Sequence, residues 1–346
     1  MQLMIFNEKV VSPEKKKNDD DPKPPTGKTR NNESIQEKQK NKGHLILDAT
    51  CAPADIKYPT DLNLLNECRE KQEEMIDVLH NPLKGIQKRP RTHRVKGRKQ
   101  YLAVAKNKKP SKKLRRKAIR QQLGYVKRNL KVIDTLRQHP LAGILSSKQE
   151  AMLQTIKTCY QQQKTMYEQK TNSIEDRIVS LSQPHVRPIV RGKAKANTEF
   201  GAKIAISLVD SYAFVERLDW NNFNEGTDFI PSIERYKERY GCYPKAVMAD
   251  KLYRNKDNLD YCKEKGIRLS GPPLGRPKKE LQKTLLKQER KDVSIRNTVE
   301  GKFGEGKRKY GLNLIKARLK ETAEAGFGLQ FLVMNLERKL RTVFEF

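Results

Sequence analysis

Residues 201–220, GAKIAISLVDSYAFVERLDW, indicate two β-strands joined by a tight turn. Apolar and polar side chains alternate over Lys203–Leu208, the spacing of a strand with one buried face. Asp210 and Ser211 follow, and both are residue types that turns favour. We therefore predict a β-hairpin, with Asp210 in its turn and not at a functional site.

Short apolar runs alternate with helical segments on both sides of this hairpin. HLILDAT (44–50) predicts a first strand that ends at Asp48, and PKAVMAD (244–250) a buried strand that ends at Asp250. A strand, a hairpin and then strands alternating with helices are typical of a mixed sheet with flanking helices. We predict an α/β protein with a long helical insert after its first strand.

Three segments follow from this pattern. Residues 11–43 are polar and rich in Pro, Lys and Asn, and we predict a disordered arm over residues 1–43. Residues 44–60 and 184–346 would form the α/β core, and residues 61–183 the helical insert. The last helix, ETAEAGFGLQFLVMNLERKL, is amphipathic, and we expect it to pack through four apolar residues. These are Leu329, Leu332, Val333 and Leu336.

The charge points to a polyanionic partner. The chain has 73 Lys and Arg against 41 Asp and Glu, a formal net charge of +32, and nucleic acid is the commonest such partner. Residues 81–133 hold no acidic residue, although 84–131 hold twenty Lys or Arg. A solvated helix face usually includes acids for balance, so we predict DNA or RNA contact here. The candidate contacts are Lys112, Lys113, Arg115 and Arg116.

Other classes of protein fit less well. The chain has no run of eighteen apolar residues, so it predicts no membrane-spanning helix. Its five cysteines are scattered, without the CxxC spacing of zinc sites, which favours a reducing cytoplasm.

The acids with the clearest chemical potential are Asp48 and Asp250, because each follows an apolar run at the predicted end of a strand. Ligands collect at the carboxyl ends of strands in open sheets, and a buried carboxylate is costly unless it is paired or bound to metal. Glu300 could add a third carboxylate. Such hard oxygen ligands suit Mg²⁺, and two ions about 3.5–4 Å apart suit an in-line phosphoryl displacement.

Glu300 lies in VSIRNTVEGKFGEGK (293–307), between two basic residues. Arg296 is four residues before it and Lys307 seven after, so a helix would bring all three to one face. One interpretation is a solvated ion pair worth a few tenths of a kcal/mol. The other is a functional face, and the glycines of the segment favour it because each costs a helix up to about 1 kcal/mol.

The segment RNTVEGKFGEGKRKYGL resembles the signature of bacterial insertion-sequence DDE transposases, Y-x2-R-x3-E-x6-K. Arg296, Glu300 and Lys307 match its last three positions, whereas Val293 stands at the tyrosine. LILDATCAPADIKYPTDLNLLNE and YPKAVMADKLYRNKDN resemble the two aspartate blocks of one group, the insertion-sequence-five superfamily. The resemblance spans residues 44–340.

This resemblance implies a ribonuclease-H-like fold, as in retroviral integrases, and a DNA transposase activity. Asp48, Asp250 and Glu300 would bind two Mg²⁺, for which Mn²⁺ could substitute, while Arg296 and Lys307 contact DNA phosphate. The partners would be double-stranded DNA, at transposon ends and target, and a second copy in a homodimer. A cytoplasmic, nucleoid-associated location follows.

Two features leave alternatives open. Arg276, in LGRPKK, would either enter a DNA minor groove or lie in a plain loop, and we favour the loop. Only 47 residues precede Asp48, so we expect that the usual N-terminal DNA-recognition domain is lacking. The alternatives to a transposase are a transposase-derived DNA-binding protein without catalysis and, from charge alone, an RNA-binding protein.

Overall fold

The computed structural model describes residues 40–190, 198–271 and 279–344. Most of the predicted N-terminal arm and the predicted loop residue Arg276 lie outside these ranges.

One mixed sheet forms the centre of the structure. Its order is β2-β3-β1-β5-β6, and β4 pairs with β3. β1 is antiparallel to β3 and parallel to β5, which is parallel to β6. The strands are β1 (His44–Pro53), β2 (Arg187–Val190), β3 (Thr198–Val209), β4 (Tyr212–Asp219), β5 (Ala246–Met248) and β6 (Arg268–Leu269).

Eight α-helices accompany this sheet in the described ranges, and four of them lie between β1 and β2. The predicted α/β class, a mixed sheet with flanking helices, is confirmed. The helices are α1 (Asp61–His80), α2 (Arg94–Ala105), α3 (Lys112–Arg137), α4 (Ser147–Gln169), α5 (Phe229–Tyr240), α6 (Lys256–Glu264), α7 (Lys279–Lys309) and α8 (Lys320–Phe344).

The hairpin lies where the sequence predicts it. β3 and β4 are joined by Asp210 and Ser211, whose φ angles are 50° and 71°. Two consecutive positive φ angles define the tight turn that matches the twist of a hairpin. The prediction that Asp210 belongs to the turn is confirmed.

The first strand is longer than predicted. β1 does not end at Asp48 but continues to Pro53, and Asp48 is opposite Ile206 of β3. The long β3 strand supplies hydrogen-bonding partners as far as Gly201, so the polar Asp48 and Thr50 do not interrupt the pairing. Asp48 therefore lies within the sheet and not at its edge.

The predicted packing face of the last helix is wrong. Of the four predicted residues of α8, Leu329, Val333 and Leu336 are exposed and Leu332 is half-buried. Phe327 and Phe331 are instead buried in the core with Ala323 and Met334. The helix carries two apolar stripes, and the sheet selects the one with the larger aromatic side chains. Phe327 also lies near Trp220 at the end of β4.

The helices between β1 and β2 have a hydrophobic core of their own. It joins α1, α3 and α4 and ends near Ile178 and Leu181. Thr60 caps the start of α1, because its hydroxyl accepts a hydrogen bond from the backbone N–H of Asn63 at 3.2 Å. The insert boundaries of 61 and 183 agree with this arrangement but stay a prediction.

Candidate active site

The strand register brings Asp48 and Asp250 close together. In the parallel pair β1 and β5, Ile46 is opposite Met248, and both belong to the core that α7 joins through Val299. Side chains two residues apart in an extended chain point to the same face. Asp48 is two residues further along β1, and Asp250 follows two residues after β5 ends. The charge of Asp250 acts on the carboxyl of Asp48, so the two acids are neighbours.

The environment of Asp48 opposes its negative charge. Burial raises the pKa of its carboxyl from 3.8 to about 6, and the charges of Glu225 and Asp250 add to this effect. The backbone N–H of Ala49 donates to Asp48 Oδ1 at 2.8 Å and opposes the rise, as does the positive charge of Arg296. The groups around Asp48 in the protein therefore do not fully compensate the negative charge of its carboxylate.

Asp250 is exposed, unlike Asp48. It lies two residues beyond β5 and begins a short 3₁₀ helix, Lys251–Tyr253, where the backbone N–H of Lys251 donates to Asp250 Oδ1 at 2.6 Å. The carboxylate of Asp48 is thus largely buried, and that of Asp250 is open to solvent.

A further acid, Glu225, lies beside Asp48 and was not anticipated from the sequence. It begins a second 3₁₀ helix, Glu225–Asp228, after β4. Its carboxylate pairs with Lys203 Nζ at 2.9 Å, and both side chains are largely buried. The available signal was Lys203 itself, because a lysine in the apolar strand β3 needs a buried partner.

Tyr253 lies close enough to these acids for their charges to act on its hydroxyl. Its ring is buried in the core. Burial raises the pKa of the Tyr253 hydroxyl, and four negative charges raise it further. In order of effect, these charges are Glu225, Asp48, Asp228 and Asp250. The charges of all four carboxylates therefore act on this one tyrosine, and we call the region that they occupy the acidic cleft.

Gly226 allows the two 3₁₀ helices to approach one another. A methyl group at Gly226 would lie 3.1 Å from the carbonyl oxygen of Leu252, closer than side chains normally tolerate. Asn258 Nδ2 also bridges the segments, since it donates to the carbonyl oxygens of Gly226 and Tyr253. The contact between the two 3₁₀ helices therefore helps to position Glu225 on one of them and Asp250 at the start of the other.

Glu300 takes part in an ion pair. Arg296 Nη2 lies 3.5 Å from Glu300 Oε1, and the side chain of Glu300 is 60% exposed. The ion pair that the sequence suggested as the simpler interpretation is therefore present. The positive charge of Arg296 also lowers the pKa of Asp48, so Arg296 interacts with both Asp48 and Glu300. Over the described ranges, no three His, Cys, Asp or Glu side chains are grouped closely enough to hold a metal ion.

The predicted basic contacts lie in two places. Lys307 is half-buried near the end of α7, on the helix that carries Arg296 and Glu300. Lys112, Lys113 and Arg115 are exposed at the start of α3. Their contacts with DNA stay predictions.

Arg116 has a structural contact of its own. Its guanidinium donates to the carbonyl oxygen of Tyr167 at 3.0 Å and lies 4.2 Å from the centre of that ring. The contact joins the first turns of α3 to the end of α4, so part of its hydrogen-bonding capacity is used within the protein. The predicted contact of Arg116 with DNA is not tested by this geometry.

The charge of the cleft agrees with a hard divalent cation. The carboxylates of Asp48 and Asp250 repel one another, and the nearby Glu225 adds to the repulsion. Mg²⁺ prefers one or two carboxylates together with water and substrate oxygens.

No helix in the described part of the chain is long and apolar enough to cross a membrane.

Comparison with known proteins gives one family. Neither the curated proteins nor the solved structures yielded a match. Residues 247–337 match the family model described as the transposase DDE domain. This segment runs from β5 into α8 and includes Asp250, Arg296, Glu300 and Lys307, whereas Asp48 precedes it. The match supports a DDE transposase.

Proposed function

We propose that this protein is a DNA transposase that cuts transposon ends and joins them to target DNA in a metal-dependent reaction. The observation that carries the proposal is the position of Asp48 and Asp250, which are neighbours. The second of these acids lies in the segment that matches the transposase DDE domain. α7 also bears Glu300, the predicted third acid.

We propose in addition that the fold is ribonuclease-H-like. Three antiparallel strands, β4, β3 and β1, are followed by β5 and β6 parallel to β1. This order supports the relation to retroviral integrases that the sequence motifs imply. Those motifs also favour the insertion-sequence-five superfamily and a cytoplasmic, nucleoid-associated location.

Asp48, Asp250 and Glu300 are the residues that would hold Mg²⁺ or Mn²⁺. When bound, two such ions stabilise the charge on the attacking and leaving oxygens of a phosphodiester displacement. The unfavourable charge of Asp48 supports this assignment, because a cation would offset the repulsion from Asp250 and Glu225.

The reaction consists of two in-line displacements. In cleavage, a water oxygen attacks the phosphorus at the transposon end and the 3′ oxygen leaves as a hydroxyl. In strand transfer, that 3′-hydroxyl attacks a target phosphodiester and the target's own 3′ oxygen leaves. Neither displacement requires a covalent bond to the protein. Arg296 and Lys307 would hold the phosphate, with Arg able to donate two parallel hydrogen bonds.

Glu300 could join Asp48 and Asp250 only after its ion pair with Arg296 is broken. An exposed ion pair contributes only about 0–1 kcal/mol, so a DNA phosphate can compete for Arg296. The guanidinium of Arg296 would then pair with the phosphate, and the carboxylate of Glu300 would be free to move toward the acidic cleft.

The test is Mg²⁺-dependent nicking of DNA that carries a transposon end, compared between two variants. We expect Asp250→Asn to abolish nicking and to leave DNA affinity equal or higher, because one negative charge is removed. The matched control is Asp210→Asn, which also follows an apolar strand but lies in the hairpin turn, and it should nick like the wild type. Normal nicking by Asp250→Asn would rule out the proposed ligand.

One observation favours a second function, a DNA-binding protein without catalysis. Glu300 is exposed and paired with Arg296. If this pair persists on DNA, the wild type would bind duplex DNA but would not nick it with Mg²⁺ or Mn²⁺.

A further inference from the structure

A groove of about 390 Å³ lies between α2 and α3, in the insert and apart from the acidic cleft. Its walls are strongly basic and polar. Residues that line it include His93, Lys96 and Gln100 on the side of α2 and Lys117, Arg120 and Arg128 on the side of α3.

The two helices are fixed to each other under this groove. Gln122 Nε2 donates to the carbonyl oxygen of Gly97 at 3.0 Å, and the Tyr125 hydroxyl donates to Gln100 Oε1 at 2.9 Å. Gly97 is buried, and an added methyl group there would lie 3.1 Å from the side chain of Arg69. The groove is therefore a built feature of the insert and not a gap between mobile side chains.

The basic residues continue along α3 beyond the groove. They recur every three or four residues, which places them on one face of a helix, and all are exposed. From first to last they extend over about 27 Å at 1.5 Å per residue. They are Lys113, Lys117, Arg120, Lys127 and Lys131, with Gly124 at the remaining position.

The positive charge of this face is not balanced from within the insert. The ion pairs of α2 and α3 lie toward the helix ends, at Arg94 with Asp77, at Asp134 with Lys157 and at Arg137 with Glu150. In the described part of the chain, no carboxylate forms an ion pair with the basic residues lining the groove. Holding so many like charges together costs free energy, which an anionic partner would offset.

We propose that this groove and the basic face of α3 hold the sugar–phosphate backbone of duplex DNA. This inference rests on the proposed function and adds a second DNA-contacting surface to it. Duplex DNA carries one negative charge per about 1.7 Å of its axis with both strands counted, so the 27 Å of duplex beside this face carries roughly sixteen phosphates, of which the face can contact those on its own side. The core of a protein interface is usually apolar and aromatic, whereas the side chains named here are mainly Lys, Arg and Gln.

The test measures how the affinity of the full chain for a 30-base-pair duplex of arbitrary sequence depends on salt. The groove variant combines Lys96→Gln, Lys117→Gln, Arg120→Gln and Arg128→Gln. The control combines Lys84→Gln, Lys88→Gln, Lys109→Gln and Lys148→Gln, which removes four exposed charges of the same insert away from the groove.

We expect the groove variant to lose about 2–4 from the slope of log K against log salt, since each phosphate contact contributes about 0.9. The control should lose less than about 1 by the same relation. Equal slopes for the two variants would overturn the proposal. Should the groove variant fail to fold, Lys96→Gln and Arg120→Gln are measured singly, with about 0.9 expected from each.

Two further measurements separate the explanations. Poly-L-glutamate serves as an acidic polypeptide probe, and a loss of its binding equal to the loss for DNA would overturn the assignment to nucleic acid. Nicking by the wild type separates this proposal from the proposed function. If the wild type does not nick but the groove variant shows the reduced slope, the transposase activity fails and the groove assignment holds.

Discussion

At the scale of single residues, Asp48 and Asp250 show how position in the sheet sets the chemistry of a carboxylate. Both are two residues beyond the paired Ile46 and Met248. Asp48 lies in a central strand between two neighbours, while Asp250 has left the sheet and meets solvent. Burial therefore disfavours the charged carboxylate at Asp48, whereas the side chain of Asp250 is exposed.

Asp48→Asn is expected to stabilise the protein at neutral pH. The native pKa of about 6 exceeds the ordinary 3.8, so the native state binds more protons and stability falls as pH rises between these values. At 1.36 kcal/mol per pH unit, the full difference is about 3 kcal/mol above pH 6. Urea unfolding at pH 4 and 7.5 tests this, with a gain for the variant only at pH 7.5. An equal effect at both pH values would contradict the assignment.

Lys203 is expected to matter more for stability than an ordinary surface lysine. Lys203→Met would leave Glu225 largely buried without its partner, and breaking such a pair costs roughly 3 kcal/mol or more. The matched control is Lys71→Met, because Lys71 pairs with Glu74 at 2.9 Å on the surface and should cost about 0–1 kcal/mol. Equal unfolding free energies for the two variants would show that Glu225 does not need Lys203.

At the scale of elements, the two 3₁₀ helices beside the sheet position the acids that the strands do not carry. Glu225 belongs to one and Asp250 begins the other, and Gly226 permits their contact. The geometry of the cleft therefore depends on a close approach between two backbone positions, Gly226 and Leu252, that are 26 residues apart (252 − 226).

Gly226→Ala is expected to reduce nicking strongly while DNA affinity is kept. The new methyl group would force the carbonyl of Leu252 away and move Asp250 relative to Asp48. Gly328→Ala in α8 is the control, since its added methyl group would meet nothing within 4 Å and should stabilise the helix by up to about 1 kcal/mol. Nicking by Gly226→Ala at the wild-type rate would show that this contact does not set the site.

Local patterns predicted the elements well where one short segment decides the structure. The turn at Asp210 and Ser211 depends on nearby residues, and the positive φ angles of both residues confirm it. The length of β1 depends on how far β3 continues beside it. The buried face of α8 depends on the shape of the sheet, which the sequence of that helix does not contain.

At the scale of the whole molecule, the fold separates two kinds of charge. The excess of positive charge is concentrated in the helices between β1 and β2, and the carboxylates gather where β1 and β5 meet the 3₁₀ helices. Basic helices can hold a polyanion over a distance, while the acidic cleft repels it unless cations are present. Under the proposed function, DNA binding and DNA cleavage would depend on different surfaces.

The same separation limits what the sequence could predict about the site. Arg296, Glu300 and Lys307 were found because they share one helix, and Asp48 and Asp250 because each follows an apolar run. Glu225 was missed because its relation to Asp48 arises only when β1, β3 and the segment after β4 come together. The ion pair of Arg296 with Glu300 was a known alternative that spacing alone could not decide.

We propose that Asp48 and Asp250 bind the same divalent cation, which can be measured by calorimetric titration of the DNA-free protein with Mg²⁺ and Mn²⁺. We expect saturable binding that is lost in both Asp48→Asn and Asp250→Asn and kept in Asp210→Asn. Binding that survives unchanged in Asp48→Asn and Asp250→Asn, or that is lost equally in Asp210→Asn, would show that these two aspartates do not form the cation site.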